Sequence, residues 1–268
     1  LEKSSTLVGE QKDMSTGTFL LTVFLPGVTA MLGFWATLSL NIPDFTRYAK
    51  NQREQVVGQF LGLPTTMLLF SFVGIAVTSA TVIIYGEPIW DPVKLVARLT
   101  SESGSTTLAF VAMLTLAVAT LSTNIAANIV SPAYSFSNAF PSKVSFRKGG
   151  ILAALLGIVL CPWLLLDMYI GWLVTYSGLL GAVGGILVAD YWLLRKTQLS
   201  LADLYNSQGI YRYREGFNIQ ALIALGAGLG VVMLGYFIPA LAFAFQGAWF
   251  SGFVVSAFVY VLLMPKQS

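Results

Sequence analysis

Apolar stretches close to the length that crosses a lipid bilayer recur along this sequence of 268 residues. A membrane-spanning helix needs about 20 predominantly apolar residues. We count seven such stretches, at residues 17–40, 60–85, 107–130, 150–166, 170–194, 217–240 and 246–264. Only 10% of the residues are charged, whereas soluble domains carry about 25%. The pattern therefore predicts an all-α integral membrane protein.

The basic residues are unevenly shared between the loops. Eleven of the fifteen follow the first, third, fifth and seventh stretches: Arg47, Lys50, Arg53, Lys143, Arg147, Lys148, Arg195, Lys196, Arg212, Arg214 and Lys266. The other four are Lys3, Lys12, Lys94 and Arg98. Because basic loops stay in the cytoplasm, we expect a multi-pass protein of the plasma or inner membrane with a cytoplasmic C-terminus.

Several kinds of chemistry are disfavoured by what the sequence contains. There is no histidine, and Cys161 is the single cysteine, so His-ligated metals and an intrachain disulfide are excluded. The carboxylates nearest the apolar stretches lie at their ends: Asp44, Glu87, Asp167 and Asp190. An enzyme would need an acid and a base at its reacting centre, so we predict a protein that is not an enzyme and has no cofactor.

The first stretch contains residues that disturb a helix. Pro26-Gly27 and Gly33 interrupt it, and Pro43 closes it. Freed backbone groups at such a break are what transporters use to hold substrates and ions, although a merely kinked helix is an equal alternative. Trp35 lies close to this break, where its indole face could stack on a planar heterocycle or simply pack against neighbouring helices.

The stretch "ATLSTNIAANIVSPAYSFSN", residues 119–138, is polar but carries no charge. Ala119, Ser122 and Thr123 share one helical face, and their two hydroxyls and one carbonyl are ligands that suit a monovalent cation. The alternative is that each hydroxyl bonds back to a carbonyl of its own helix.

A second face of the same helix is predicted to carry amides. Asn124 and Asn128 are four residues apart, and Ser131 and Ser135 roughly continue their face. An amide offers both a donor and an acceptor, which matches the edge of a pyrimidine or an imide. Hydrogen bonding between helices is the alternative.

Four glycines mark the fifth stretch, "YSGLLGAVGGILVADYW". Small residues let membrane helices approach closely. We therefore expect most of these glycines to serve packing: Gly178, Gly181, Gly184 and Gly185.

Four stretches together resemble the nucleobase–cation symporter 1 family. They are "GFWATLSLNIPDFTRYAK", "GLPTTMLLFSFVGIAVTSATVIIYGEPIWDPV", "ATLSTNIAANIVSPAYSFSN" and "GILVADYWLLRK", in this order over nearly the whole chain. Members of that family move uracil, cytosine, allantoin, hydantoins and thiamine-like solutes. The resemblance implies a LeuT-type transporter fold of twelve spans, of which this chain is similar to spans six to twelve.

The resemblance also implies an organisation of the chain. Residues 1–16 would be the remnant of an extracellular or periplasmic loop. Residues 17–196 would form the second inverted repeat, spans six to ten with the first one broken, and residues 197–268 two accessory spans, eleven and twelve. Spans one to five of the same protein, absent from this sequence, would then be a partner of the chain, together with the lipid bilayer.

The substrate ligands implied by the resemblance are Trp35, which would stack on the heterocycle, and Asn128, which would bond to it. We place Phe34 and Asn124 beside them. The family's hydantoin transporter has glycine before its stacking tryptophan, whereas this chain has Phe34. A bulkier neighbour narrows the pocket and favours small ligands such as uracil or allantoin over arylated hydantoins.

The resemblance further implies a sodium site at Ala119, Ser122 and Thr123, and a gate at Leu180. The resulting hypothesis is the C-terminal half of an importer that moves a small planar nitrogen heterocycle with Na⁺ or H⁺ by alternating access. A channel-like or structural membrane subunit, whose polar helices serve as contacts between helices, is the alternative. Nothing in the pattern indicates a nucleic-acid partner, and the heterocycle and the coupling ion stay open.

Overall fold

The structure, a computed structural model, describes residues 14–161, 164 and 169–264. These residues are helical apart from turns, loops and one isolated β-bridge between Arg214 and Phe217. The prediction of an all-α protein is confirmed. Some sequence predictions concern residues outside this description, namely residues 1–13, Asp167 and Lys266.

The main helices are numbered here along the described part of the chain. They are α1 (Thr16–Asn41), α2 (Gln52–Tyr85), α3 (Pro92–Ser103), α4 (Thr106–Ala139), α5 (Phe146–Val159), α6 (Tyr169–Val188, continued by a π-helical turn at Ala189–Leu194), α7 (Ile219–Phe237), α8 (Pro239–Gln246) and α9 (Ala248–Leu263). Shorter helical turns lie at Pro43–Thr46, Leu201–Leu204 and Ile210–Arg212.

Local sequence explains where many of these helices begin and end. A polar side chain accepts a hydrogen bond from a backbone N–H of the first turn and so satisfies a donor that has no partner within the helix. The capping residues are Asn51 for α2, Asp91 for α3, Ser105 for α4, Ser145 for α5 and Asn218 for α7. Gly86 and Gly104 adopt the left-handed conformation that ends α2 and α3.

Most of the predicted membrane spans correspond to helices of sufficient length. The helices α1, α2, α4, α6 and α7 are long and apolar enough to cross a bilayer. The fourth predicted stretch differs, because α5 has 14 residues and the rest of that stretch falls partly outside the described residues. At the seventh stretch, α8 and α9 pass the same test only together, and they are bent by 89° at Gly247.

Helix α1 departs from regular α-helical geometry at two places. A π-helical turn covers Leu20–Phe24, and Ala36 and Thr37 form a turn between Leu25–Trp35 and Leu38–Asn41. The sequence predicted interruptions at Pro26-Gly27 and at Gly33, which is wrong, because all three residues are helical. Pro26 lies in the first turn of Leu25–Trp35, where its missing N–H is tolerated.

The chain divides into two compact units. The first unit contains the described residues up to Ile42 and those from Leu164 onward, so it holds α1 and α6–α9. The second unit runs from Pro43 to Cys161 and holds α2–α5.

In the first unit, α6 and α9 approach so closely that glycine is required between them. A β-carbon on Gly181 would overlap the carbonyl oxygen of Trp249, and one on Gly185 would overlap that of Phe253. Helix α1 meets α6 in the same way, because a β-carbon on Gly33 would lie 2.5 Å from the carbonyl oxygen of Leu173. The packing role predicted for the glycines of the fifth stretch is confirmed at these positions.

A polar network joins the ends of α6, α7 and α9 in the first unit. The Asp190 carboxylate accepts hydrogen bonds from Arg195 Nε at 2.5 Å and from the Tyr260 hydroxyl at 2.8 Å. Asn218 Nδ2 donates to the same Tyr260 hydroxyl at 3.0 Å, while Asn218 Oδ1 caps α7. The charges of Asp190 and Arg195 are therefore paired at the end of the span, where the cost of burying either alone would be several kcal/mol.

The close approach of α6 and α9 predicts that replacing a glycine by alanine lowers stability at the contact but not away from it. Gly185→Ala must push the two helices apart, and we expect it to destabilise the protein by about 1–3 kcal/mol. Gly230→Ala is the matched control, because a β-carbon at Gly230 on α7 meets nothing within 4 Å and alanine is favoured over glycine in a helix. Thermal unfolding in detergent measures both variants. Equal melting temperatures for the two variants would contradict the contact.

Candidate functional site

Trp35 is the last residue of the regular segment Leu25–Trp35 of α1, immediately before the turn. After this turn, the Ser39 amide bonds to the Ala36 carbonyl at 3.0 Å and the Leu40 amide to the Thr37 carbonyl at 3.0 Å. These bonds span three residues instead of four, so the α-helical pattern is broken directly after the indole. The sequence placed Trp35 beside a helix interruption, and the structure does so as well, although at a different residue pair.

The two aromatic side chains at this position contact each other. The rings of Phe34 and Trp35 meet edge to face, with centroids 5.3 Å apart and planes at 78°. Phe34 is 50% exposed and Trp35 is partly exposed within the chain. Aromatic surface is therefore available next to the interruption, with Phe34 limiting the space around the indole.

The predicted cation ligands lie on α4 in the second unit. The Ser122 hydroxyl donates to the Ala119 carbonyl at 3.0 Å, so two of the three predicted oxygens are in direct contact. This is the back-bonding alternative for Ser122. A hydroxyl that donates one hydrogen bond keeps two lone pairs. The Ala119 carbonyl lies within the α-helical segment Thr106–Asn124, so it also accepts the backbone N–H four residues later. A cation would therefore displace the bond from Ser122 to this carbonyl, and the site stays a prediction.

The two predicted amide ligands pair with each other. Asn128 Nδ2 donates to Asn124 Oδ1 at 3.2 Å, a bond that does not use the Asn128 side-chain carbonyl or the Asn124 amino group. Both residues are exposed within the chain. The pair thus retains an acceptor and donors, the kinds of group that an amide edge of a heterocycle would match.

A π-helical turn at Ile125–Ile129 lies within α4 and contains Asn128. Such turns are rare and occur frequently at functional sites. Sequence patterns do not indicate it, because these residues include no proline or glycine. Ser135 is exposed as the asparagines are, whereas Ser131 is 2% exposed in the region where α5 packs against α4 at Gly149 and Ala133. The expectation that Ser131 and Ser135 continue the face of the asparagines stays a prediction.

The predicted gate, Leu180, is a buried residue of α6 with 3% exposure. Its proposed role in gating is not tested by this position and stays a prediction. In the described part of the chain, no group of three or more His, Cys, Asp or Glu side chains is arranged to hold a metal ion.

Residues 4–259 match the family described as permease for cytosine/purines, uracil, thiamine, allantoin. The chain belongs to this family. It is 43% identical over 244 residues to the allantoin permease of Bacillus subtilis (90% of this chain and 49% of the relative). It is 42% identical over 260 residues to the purine-uracil permease NCS1 of Arabidopsis thaliana (91% and 43%). The chain spans about half the length of these curated relatives.

Two solved structures of Mhp1 have the same fold. One shows its inward-facing conformation, with a TM-score of 0.66 and 25% identity over 89% of this chain and 50% of Mhp1. The other shows Mhp1, a transporter of the nucleobase–cation symport 1 family, closed with bromovinylhydantoin bound. It has a TM-score of 0.70 and 26% identity over 93% of this chain and 56% of the other. The predicted family and the LeuT-type fold are confirmed, and a family of permeases agrees with the expectation that the chain is not an enzyme.

Two buried serines, Ser131 on α4 and Ser177 on α6, differ in the hydrogen bonding of their hydroxyls. Ser131 has no hydrogen-bond partner among the described residues, whereas the equally buried Ser177 donates to the Val174 carbonyl at 2.6 Å. Removing an unsatisfied hydroxyl is neutral or stabilising, while losing a buried hydrogen bond costs about 0.5–1.5 kcal/mol. We expect Ser131→Ala to melt at or above the wild-type temperature and Ser177→Ala to melt below it. A marked destabilisation by Ser131→Ala would mean that its hydroxyl has a partner.

Proposed function

We propose that this chain is part of a secondary active transporter that imports a small planar nitrogen heterocycle together with a cation. One observation carries the proposal. Residues 117–128 of α4 are all exposed within the chain, and they include an uncharged polar stretch on a helix that is otherwise apolar enough to span a membrane. An amide or hydroxyl left unpaired in hydrocarbon costs about 2–7 kcal/mol, so this face needs a ligand, water or further protein against it.

The substrate class follows from the family and from the residues. Relatives are named as permeases for allantoin and for purines and uracil, and the bound ligand of one Mhp1 structure is a hydantoin. All are compact rings with adjacent amide donors and acceptors. We propose that Trp35 stacks on the ring and that Asn128, held by Asn124, bonds to its amide edge. Phe34 then favours small ligands such as uracil or allantoin over arylated hydantoins.

The coupling ion is proposed to be sodium at Ala119, Ser122 and Thr123, with protons as the alternative. Ion and solute would bind together, and their different affinities for the outward-open and inward-open states would drive alternating access. Leu180 would act as the gate. By the distribution of basic residues, the C-terminus would lie in the cytoplasm of a plasma or inner membrane. We further propose that additional spans of the same protein cover the exposed face of α4.

A channel-like or structural subunit is the second candidate, favoured by the same exposed polar face if it serves only to contact other helices. Uptake of labelled uracil and allantoin by the full-length protein separates the two candidates. A carrier shows saturation and accelerates exchange when unlabelled solute is present on the opposite side. Uptake that rises linearly with concentration and shows no exchange would refute the carrier.

The substrate site predicts losses at two residues. We expect Trp35→Ala to weaken binding by about 1–3 kcal/mol, because base–aromatic stacking has this magnitude, and Trp35→Phe to weaken it less. Asn128→Ala leaves a polar edge of the ligand without its partner and should also weaken binding. Binding of labelled uracil or allantoin to the purified protein measures both. The matched controls are Trp172→Ala, near the start of α6, and Asn138→Ala, near the end of α4. Wild-type affinity in both site variants would place the pocket elsewhere.

The cation site predicts a loss of coupling in Thr123→Val, which keeps the shape of the side chain but removes its oxygen. Sodium should then raise substrate affinity less than it does in wild type, because the coupling between two ligands is reciprocal. Thr115→Val is the matched control on the same helix, since the Thr115 hydroxyl bonds back to the Val111 carbonyl at 2.8 Å. Substrate binding with and without sodium measures the effect. An undiminished sodium effect in Thr123→Val would reject this site, and no sodium effect in wild type would indicate protons.

A further inference from the structure

The two ends of the second unit differ in charge. At one end, the segments that lead into α2 and α5, together with the first turns of these helices, carry six basic residues, namely Arg47, Lys50, Arg53, Lys143, Arg147 and Lys148, with Asp44 and Glu54 as the acidic residues. At the other end, residues 86–105 carry Lys94 and Arg98 with three acidic residues, namely Glu87, Asp91 and Glu102. Only the first end is strongly basic, and all six of its basic side chains are exposed within the chain.

Tyr134, near the end of α4, brings the two loops of the basic end together. Its hydroxyl lies 2.7 Å from that of Tyr48. Its ring packs against the ring of Phe146, the first residue of α5, with centroids 4.6 Å apart. Arg47 lies over the same ring, and Arg147 directly follows Phe146 in the chain. The two basic segments, residues 47–53 and 143–148, therefore meet at the Tyr134 side chain.

The guanidinium of Arg47 is held in a fixed orientation but remains accessible. Its Cζ atom lies 3.9 Å from the centre of the Tyr134 ring and 5.0 Å from that of Tyr48. Its Nη2 atom donates to the Tyr48 hydroxyl at 3.0 Å. A guanidinium has five N–H donors, so contacts with two tyrosines leave donors for another acceptor. A planar fork with fixed orientation suits the paired oxygens of a phosphate.

Large aromatic side chains lie close to these basic residues in the chain and are exposed. Tyr48 is 71% exposed, Phe140 is 54% exposed and Phe146 is 45% exposed. Exposed aromatic rings beside basic groups are typical of the boundary between hydrocarbon and headgroups. The adjoining helices α2 and α4 are both membrane spans by length and composition, so this surface lies where lipid headgroups are, not deep in the aqueous phase.

We propose that the basic end of the second unit binds the phosphate headgroup of an anionic phospholipid, with Arg47 as its central ligand. The occupant is a lipid because the surface combines phosphate-binding side chains with apolar rings that a soluble phosphate would leave exposed. Basic clusters next to a span attract anionic lipids with about 1 kcal/mol per residue. This site is independent of the proposed transport of heterocycles, since none of its residues is assigned to substrate or cation.

Photocrosslinking in nanodiscs tests the proposal. The protein is reconstituted in phosphatidylcholine with a minor fraction of photoactivatable phosphatidylglycerol or, in a parallel sample, photoactivatable phosphatidylcholine. We expect phosphatidylglycerol to label residues 43–54 and 140–148 more strongly than phosphatidylcholine does. Arg47→Gln and Arg147→Gln should each reduce that labelling about fivefold, the factor that corresponds to about 1 kcal/mol. Arg47→Lys, which keeps the charge but not the fork, should reduce it less.

Arg98→Gln is the matched control, because Arg98 also lies over a tyrosine ring, that of Tyr85 at 5.3 Å, but pairs with Glu102. It should leave the labelling of the basic end unchanged. Melting temperatures in pure phosphatidylcholine verify that each variant is folded. The proposal would be overturned by equal labelling by the two lipids or by undiminished labelling in both folded glutamine variants. Displacement of the lipid by inorganic phosphate would also overturn it, because the ligand would then be a soluble anion.

Discussion

Hydrocarbon offers no hydrogen-bond partner, and the polar groups of this protein are arranged under that constraint. Several hydroxyls on the spanning helices bond to carbonyls three or four residues earlier, as Thr115, Ser122 and Ser177 do, whereas the buried hydroxyls of Thr29 and Ser131 have no partner among the described residues. Such bonds let a helix carry a hydroxyl at membrane depth without an unsatisfied donor. The amides of Asn124 and Asn128 satisfy each other only in part, and this remaining capacity distinguishes α4 from a helix whose polar groups are fully paired.

Charged side chains lie at different positions along the spans from neutral polar groups. Asp190 and Arg195 pair at the end of α6, and Tyr260 and Asn218 complete the network there. This network joins three helices of the first unit while keeping ionised groups away from the middle of the span, where they would be costly. The basic surface around Arg47 lies likewise at span ends. Neutral oxygens and amides within the spans, and charges at their ends, agree with the proposed carrier of an uncharged solute and a small cation.

Irregular helix geometry occurs next to the residues that are proposed to bind the substrate. The turn at Ala36 and Thr37 directly follows Trp35, and the π-helical turn Ile125–Ile129 includes Asn128. Both irregularities change the backbone bonding beside a side chain of the proposed substrate site. Regular close packing is found elsewhere, as between α6 and α9 at Gly181 and Gly185. The first unit therefore combines a tightly packed helix pair with an interrupted helix, α1, which also packs closely on α6 at Gly33.

The sequence by itself determined the class of protein, most of the spans, the family and the packing role of the glycines. These are properties of local composition and of motifs, and a span needs only a run of apolar residues to be recognised. It also identified Trp35, Asn128 and Ser122 as polar or aromatic side chains in unusual places. It misplaced the interruption of α1, because a proline in the first turn of a helical segment does not break it, and it missed the π-helical turn in α4.

Only the tertiary structure decided which residues meet across long separations. Tyr48 and Tyr134 are 86 residues apart and Tyr260 and Asp190 are 70 apart, and no periodicity within either segment indicates such pairs. The burial of Ser131 was decided in the same way, because it depends on how α5 packs against α4 beside it, at Gly149 and Ala133. Hydropathy indicates whether a helix is stable in lipid or in water. A hydrogen bond or ring contact between two helices depends instead on the angle at which they pack.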